Sequence, residues 1–314
     1  MLKYAVRRLA AGLIMTLAIS FIAFMFLQLG AGNVARNILG LNVDPEAVRR
    51  LNIELGVDRP VLIRYGEWLW NALHFNLGKS WTYPGTVAET LWPKLVVTLT
   101  IVAVAMTVIT LVSTALGVCA AIFGSWIDKF VQFLSIVGFA IPGFLVAVLL
   151  VDVFALQLHI FNATGYANPT DDLGEWARSV VLPVAGLSVT GIASVSQQIR
   201  GSVIDVLNSD YVRTLRGRGL AEWRILFGHV LRNAAAPGLA ILGLQFEGLI
   251  GGAVIVEQIF AIPGLGSFAV AATTSTDFPS VMGFVLVVAV VVVVTNLIVD
   301  VLIAILNPKV RLQK

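Results

Sequence analysis

The sequence predicts an all-α integral membrane protein with six transmembrane helices, a large extracellular first loop and a helical cytoplasmic loop. Apolar residues make up 58% of its 314 positions and charged residues 12%, and its mean hydropathy is +0.91. A soluble domain carries about 25% charged residues, so this chain could not cover a water-facing surface. The apolar residues also gather in runs of about 20, the length that crosses a bilayer as a helix.

Six apolar segments are long enough to span the membrane. They comprise residues 9–30, 95–123, 130–156, 180–199, 236–260 and 281–306. The first is longer than the apolar part of a secretory signal, about 7–15 residues, so we expect it to be retained. The fourth is rich in Gly, Ser and Thr, and the fifth contains Glu247 and several glycines. Small residues permit close helix packing, so both helices are predicted to lie inside the bundle.

Basic residues orient the spans. Lys and Arg precede the first span and follow the last, and six Arg lie in the connection 200–235. Because cytoplasmic loops carry such an excess, both termini and this connection are predicted to be cytoplasmic. The same excess accounts for the net charge of +3. No stripe of Lys and Arg interleaved with aromatics indicates a nucleic-acid partner.

Three segments follow from this topology: an N-terminal tail and first helix (1–30), an extracellular region (31–93) and a five-helix core (94–314) that includes the loop 200–235. The extracellular region contains helix-like stretches at 45–55 and 61–73, separated by Gly, Asn and Pro. It is too structured for a plain connecting turn.

Residues 210–233, which we call the elbow, predict a pair of cytoplasmic helices. A basic helix is stopped by Gly219, because glycine takes the left-handed conformation that ends a helix. A second helix is predicted from about 221 to 233, and Pro237 follows at the start of the fifth span. Val203, Val206 and Leu207 lie on one helical face before the elbow. Such a rigid projection between two spans could transmit a push from a cytoplasmic partner to both.

The elbow resembles the coupling loop of ABC importer permeases in the dipeptide, oligopeptide and nickel branch. The matching residues are Asp-Tyr-Val-Arg-Thr at 210–214, Gly-Leu at 219–220 and His-Val-Leu-Arg-Asn at 229–233. Val-Glu-Gln-Ile-Phe at 256–260 and Asp-Phe-Pro at 277–279 also match. The sequence departs from the pattern at 32–35, where Gly-Asn-Val-Ala replaces Gly-Asp-Pro-Ala.

The resemblance implies a type I ABC importer permease fold in a bacterial plasma membrane. It also implies four kinds of partner: a second homologous permease, two ATPase subunits, an extracellular substrate-binding protein and the lipid bilayer. ATP and Mg would be bound by the ATPase subunits, and this chain would need no cofactor. The residues expected to couple to the ATPase are Asp210, Tyr211, Arg213, Thr214, Arg216, Gly219, Glu222, Arg232 and Asn233.

No catalytic or metal-binding pattern is found. Gly78-Lys79-Ser80 imitates the end of a phosphate-binding P-loop, but that motif needs a glycine where Leu73 stands. The chain is therefore predicted not to hydrolyse ATP. The three His residues are scattered and the lone Cys119 lies in an apolar run, so no metal site is expected.

Asp152, Glu247 and Glu257 are predicted to line the translocation pathway. A charged side chain inside a span costs about 2.5–3.5 kcal/mol on insertion scales, so such residues usually face a cavity or a partner. Asp152 and Glu247 could alternatively hold helices together, or carry protons in a secondary transporter. The cargo is predicted to be di- or oligopeptides, with nickel or another small solute as the alternative, and a membrane enzyme is disfavoured by the lack of catalytic groups.

Overall fold

Helices make up nearly all of the described chain. The structure, a computed structural model, describes residues 2–31, 34–40 and 43–306. The helices are α1 (Leu2–Ala31), α2 (Val34–Leu39), α3 (Pro45–Glu54), α4 (Val61–Leu73), α5 (Val87–Phe123), α6 (Ser125–Ala140), α7 (Gly143–Leu150), α8 (Leu173–Leu207), α9 (Asp210–Gly217), α10 (Glu222–Ile225), α11 (Leu231–Ile259), α12 (Leu265–Thr274) and α13 (Phe278–Leu306). Two π-helical stretches, Val151–Gln157 and Leu226–Val230, continue α7 and α10. Gly32 and Asn33 of the departing motif, and the basic residues after 306, lie outside the described residues.

The helices form two compact units. One contains Thr98–Ile262 and the chain from Thr295, and the other contains Leu2–Val97 and Pro263–Val294. The three-part division into 1–30, 31–93 and 94–314 follows chain order and stays a prediction.

Within the described ranges, five straight helices are long and apolar enough to cross a membrane. They are Val6–Gln28, Val87–Phe123, Leu173–Leu207, Glu222–Ile259 and Phe278–Ile305. The predicted span 130–156 is not a single helix, because Ser125–Ala140 and Gly143–Gln157 meet at a bend of 92°. Ile141 has extended backbone (φ −101°, ψ 119°), since a residue that precedes a proline is driven out of the helical region. The six predicted spans are present when this broken pair is counted as one.

Several predicted helix boundaries were wrong. The second span begins at Val87 instead of 95, and the fourth extends over Leu173–Leu207, where Asp172 accepts hydrogen bonds from the backbone N–H of Gly174 and Glu175. A window of apolar residues marks only the membrane-crossing part of a helix, so polar turns at its ends look like loops. The short helix α12 was not predicted, because its 10 residues are too few for such a window.

Small residues bring α8 close to its neighbours inside the first unit. A Cβ added at Gly186 would lie 2.8 Å from the Ala147 Cβ of α7, and one at Gly138 of α6 would lie 2.9 Å from the Ala193 Cβ. In the fourth span, 67% of the most apolar stretch is buried, against 28% in the fifth. The prediction of an interior helix is confirmed for the fourth span. The fifth span has an open face in this chain, on which some of its glycines lie, and its prediction stays open.

Asp277 fixes the segment 80–82 to the start of α13 in the second unit. Its carboxylate is fully buried and accepts hydrogen bonds from the Ser80 and Thr82 hydroxyls and from the Trp81 backbone N–H. Ser280, one turn later, adds a fourth bond of 2.6 Å. The Gly-Lys-Ser tripeptide that imitates a phosphate loop is thus part of a structural clamp, because its serine hydroxyl is committed to Asp277.

Candidate functional site

The elbow begins with α9, which ends as its glycine predicts. Gly219 has φ +74°, in the left-handed region. Its backbone N–H donates to the Arg216 carbonyl (2.9 Å), and the Leu220 N–H donates to the Leu215 carbonyl (3.3 Å). This pair of bonds is the Schellman motif, which satisfies the last carbonyls of a helix and turns the chain. Leu215 and Leu220 pack against the same apolar cluster, as the motif usually requires.

The inner face of the elbow is a sealed apolar core. Val212 of α9, Ile225 of α10 and Val230 have no exposed surface, and they pack with Val203 of α8 and Ala234 of α11. Full burial of a Val or Ile side chain stabilises the folded state by about 1.5–3 kcal/mol. The elbow is therefore fixed to the ends of α8 and α11, so a displacement of one is transmitted to the others.

The second elbow helix runs into the fifth span without a break. α10 continues through the π-helical stretch Leu226–Val230 into α11, and Pro237 lies inside α11. The prediction of a separate helix that ends near 233 was wrong. Membrane-spanning helices tolerate an internal proline, because neighbouring groups satisfy the freed carbonyl. Because the helix is continuous, a movement of the elbow is transmitted directly to the fifth span.

Polar contacts lock the outer face of the elbow. Arg216 donates two hydrogen bonds to the carboxylate of Glu222, at 2.7 and 3.2 Å, and this contact raises the pKa of Arg216. Because both side chains are largely exposed and solvent screens their charges, the pair adds little stability. Asn233 donates to the Tyr211 hydroxyl at 2.9 Å and so connects α11 to α9. These four predicted coupling residues lie together.

The remaining predicted coupling residues have simpler surroundings. Asp210 lies in the first turn of α9, where it pairs with Arg213 at 3.5 Å, and the Thr214 hydroxyl donates to the Asp210 carbonyl. Arg232 is exposed on α11. The elbow thus presents several Arg side chains to solvent, and two of them have an acid partner on the elbow itself.

Exposed aromatics on the elbow were missed by sequence reasoning. Trp223 is 61% exposed and Phe227 is 67% exposed, one helical turn apart on the same face. The Arg224 guanidinium carbon lies 5.1 Å from the centre of the Trp223 ring. The signal was available, because these aromatics fall on the helix face opposite Ile225. Trp, Tyr and Arg are the residues that most often dominate protein interfaces.

A partly buried ion pair joins α8 to the neighbouring helix α6. Arg200 of α8 donates two hydrogen bonds to Asp128 in the first turn of α6, and the contact from Nη2 to Oδ2 is 2.7 Å. Gln132 adds a bond of 2.9 Å to the same carboxylate. Arg200 had been assigned to the cytoplasmic connection, but it lies within α8, which extends to Leu207. The pair holds the end of α8 against α6.

The three predicted pathway acids have separate partners. Asp152 is exposed and accepts a hydrogen bond from Gln157 at 2.9 Å. Glu247 of α11 is partly buried and accepts from the Asn296 amide of α13 at 2.8 Å. Glu257 is 1% exposed and accepts from the Thr98 hydroxyl of α5. The role of all three in a pathway stays a prediction.

Family profiles match both parts of the chain. A profile described as a binding-protein-dependent transport system inner membrane component matches residues 113–312, and its N-terminal companion matches residues 1–102. The chain belongs to this family. The predicted permease class and type I ABC importer fold are confirmed. The protein is a multi-pass membrane protein, and its family consists of transport permeases. The elbow lies within the matched region.

Relatives of this permease share nearly its whole length. A putative peptide transport system permease protein of Brucella abortus (strain 2308) is 36% identical over 97% of this chain and 98% of its own. A dipeptide transport system permease protein of Alkalihalophilus pseudofirmus is 30% identical over 99% and 100%. A probable peptide ABC transporter permease protein of Sinorhizobium fredii is 29% identical over 98% and 99%. The similarity therefore includes residues 31–93 as well as the helical core.

Proposed function

We propose that this chain is one permease subunit of an ATP-driven importer of di- or oligopeptides in a bacterial plasma membrane, with both termini in the cytoplasm. The cargo is inferred from the peptide permeases that it resembles over nearly their whole length. A second homologous permease, two ATPase subunits and an extracellular binding protein complete the proposed machine.

The sealed elbow is the observation that carries this proposal. Its core joins α9 and α10 to the ends of α8 and α11, so the elbow cannot move without both of these helices. We infer that an ATPase subunit receives the elbow in a groove. Closure of the ATPase pair would then draw two elbows together and switch the pathway from inward- to outward-facing.

The outer face of the elbow suits such docking. Arg218, Arg224, Trp223 and Phe227 are all exposed, which places charge beside large apolar surface. An aromatic side chain that becomes buried at an interface supplies much of the binding energy. We therefore add Trp223 and Phe227 to the expected docking residues.

An exposed stripe on α11 supports a pathway between two permeases. Leu244, Gly248, Gly251 and Ile255 recur at helical spacing and all face outward, and no atom lies within 4 Å of a Cβ built at either glycine. Glu247 lies beside this stripe. We propose that Glu247 meets the amino or cationic end of the substrate as it passes.

Purification from native membranes tests the assembly. A C-terminal tag, mild detergent and identification of every co-eluting chain should recover a second permease, ATPases with intact P-loops and a solute-binding protein. The ligand of that binding protein would identify the cargo, so a nickel complex would replace the peptide assignment. Recovery of the chain alone would contradict the proposal.

Charge reversal tests the elbow. Arg216→Glu places two acids side by side at the turn, and it should uncouple ATP hydrolysis from uptake while expression stays normal. Arg178→Glu is the matched control, because Arg178 is also exposed and paired with a nearby Glu but lies outside the elbow. Unchanged uptake in Arg216→Glu would argue against docking through this face.

A further inference from the structure

A pocket of about 210 Å³ lies on one flank of α4, outside the elbow and the proposed pathway residues. It is lined by basic, aromatic and amide side chains, among them Arg59, Arg64, Trp68 and Asn71, and by one acid, Glu67, which is paired with Arg59. Pockets that enclose drug-sized ligands measure about 300–1,000 Å³, so this one suits a smaller group.

Arg64 supplies a positive charge that no acid neutralises within the described residues. One of its terminal nitrogens donates to the Gln28 side-chain oxygen (2.6 Å), and its guanidinium carbon lies 5.6 Å from the centre of the Phe278 ring. Burial and the nearby Arg59 lower the pKa of Arg64, while Asp58 partly offsets them. The guanidinium nevertheless stays protonated. Arg59 differs, because Glu67 binds it through two hydrogen bonds.

Two buried donors beside Arg64 lack partners in the described chain. They are the indole N–H of Trp68, which lines the pocket, and the side-chain nitrogen of Gln28. A buried donor without an acceptor is destabilising, so such groups usually meet a ligand or water. An unpaired guanidinium with adjacent N–H donors matches the acceptor-rich oxygens of an anion.

The position of α4 indicates which anion is within reach. The Tyr65 hydroxyl donates to the Leu17 carbonyl and contacts the Ser20 hydroxyl, while Arg64 contacts Gln28. Leu17 is near the middle of the span Val6–Gln28, about 16 Å from Gln28 along a helix that rises about 1.5 Å per residue. Helix α4 therefore lies beside the outer half of the first span, at bilayer depth, with Arg64 near the end of that span.

The free face of α4 fits the same depth. Leu62, Trp70 and Leu73 are 68%, 66% and 65% exposed, on the side away from α1. Apolar side chains at this level meet acyl chains instead of water, and a tryptophan favours the interface. The lipid surface around the first span thus continues over α4.

We propose that this pocket holds the phosphate group of a membrane phospholipid, bound by Arg64 and the Trp68 indole N–H. The bound lipid fastens α4 to the first span. The inference is independent of cargo, because lipid binding requires no transport.

Native mass spectrometry of the purified full-length chain, with the subunits that accompany it, tests this site. The chain is washed in detergent, supplied with phosphatidylglycerol, and the retained phospholipid is counted. Wild type should retain a phospholipid that Arg64→Gln loses, with a fall in affinity of about tenfold or more for one lost charge-assisted contact. Arg50→Gln is the control, because Arg50 is a highly exposed arginine on α3.

Trp68→Phe provides a test that does not depend on removal of a charge. It keeps an aromatic ring at this position and removes the unpartnered N–H together with part of the indole. It should therefore also reduce retention, whereas Trp92→Phe, which removes the same atoms at an exposed position, should not. Equal retention in wild type, Arg64→Gln and Trp68→Phe would overturn the proposal. Displacement of the lipid by millimolar inorganic phosphate would also overturn it, because it would indicate a site for a small anion. A loss of binding-protein association in these variants without any loss of lipid would overturn it as well.

Discussion

Gly219→Ala isolates the cost of the turn that shapes the elbow. No atom lies within 4 Å of a Cβ built at Gly219, so the added methyl group meets no neighbour. The residue nevertheless has φ +74°, where a side chain costs about 1–2 kcal/mol. The substitution should therefore loosen the turn without a steric clash and leave the rest of the chain folded.

Hydrogen exchange measures this loosening directly. A loss of about 1–2 kcal/mol in the free energy of local opening raises the exchange rate about 5- to 30-fold. We expect this increase in the amides of residues 220–225, where Leu220 donates to Leu215. Gly217→Ala is the matched control, since Gly217 also has no neighbour within 4 Å but ends α9 in ordinary helical backbone. Exchange in Gly219→Ala no faster than in wild type would refute the reasoning.

Three further substitutions test the packing. Ile225→Ala should lower the free energy of local unfolding by about 2–5 kcal/mol, because it leaves a cavity in the elbow core, and hydrogen exchange there should be faster. Trp223→Ala, on the exposed face, should change hydrogen exchange little, and equal effects of the two substitutions would contradict the assigned faces. Asp277→Asn should leave a buried donor unsatisfied, cost about 1–3 kcal/mol and expose residues 78–86 to protease, more than Ser280→Ala does. Gly186→Val should lower the thermal unfolding midpoint, because overpacking costs about 1–3 kcal/mol; an unchanged midpoint would mean that α7 can move aside.

The span count and the elbow turn could be predicted because each depends on local sequence. Twenty apolar residues require a membrane helix wherever they occur, and Gly219 specifies a left-handed turn without help from distant residues. The helix-like stretches at 45–55 and 61–73 were confirmed as α3 and α4 for the same reason.

Other features depend on residues that are distant in the sequence. Asp277 and Ser80 are 197 positions apart, and nothing near either residue indicates that they meet. The pairing of Asp128 with Arg200 likewise requires α6 and α8 to be adjacent. Pro142 could have predicted the break at Ile141, but the apolar residues on both sides of it favoured a single continuous span. The Arg64 pocket could not be predicted, because its lining combines residues from α1, α4 and the start of α13, which are far apart in the sequence.

Uptake by the reconstituted machine tests the central claim most directly. Proteoliposomes that contain this chain with its co-purified subunits would be supplied with the binding protein and a labelled peptide. Our account predicts uptake that requires ATP, survives a proton ionophore and is lost in Arg216→Glu while ATP hydrolysis persists. Uptake that continues without ATP and collapses with the proton gradient would contradict it and would indicate proton coupling through Asp152 or Glu247.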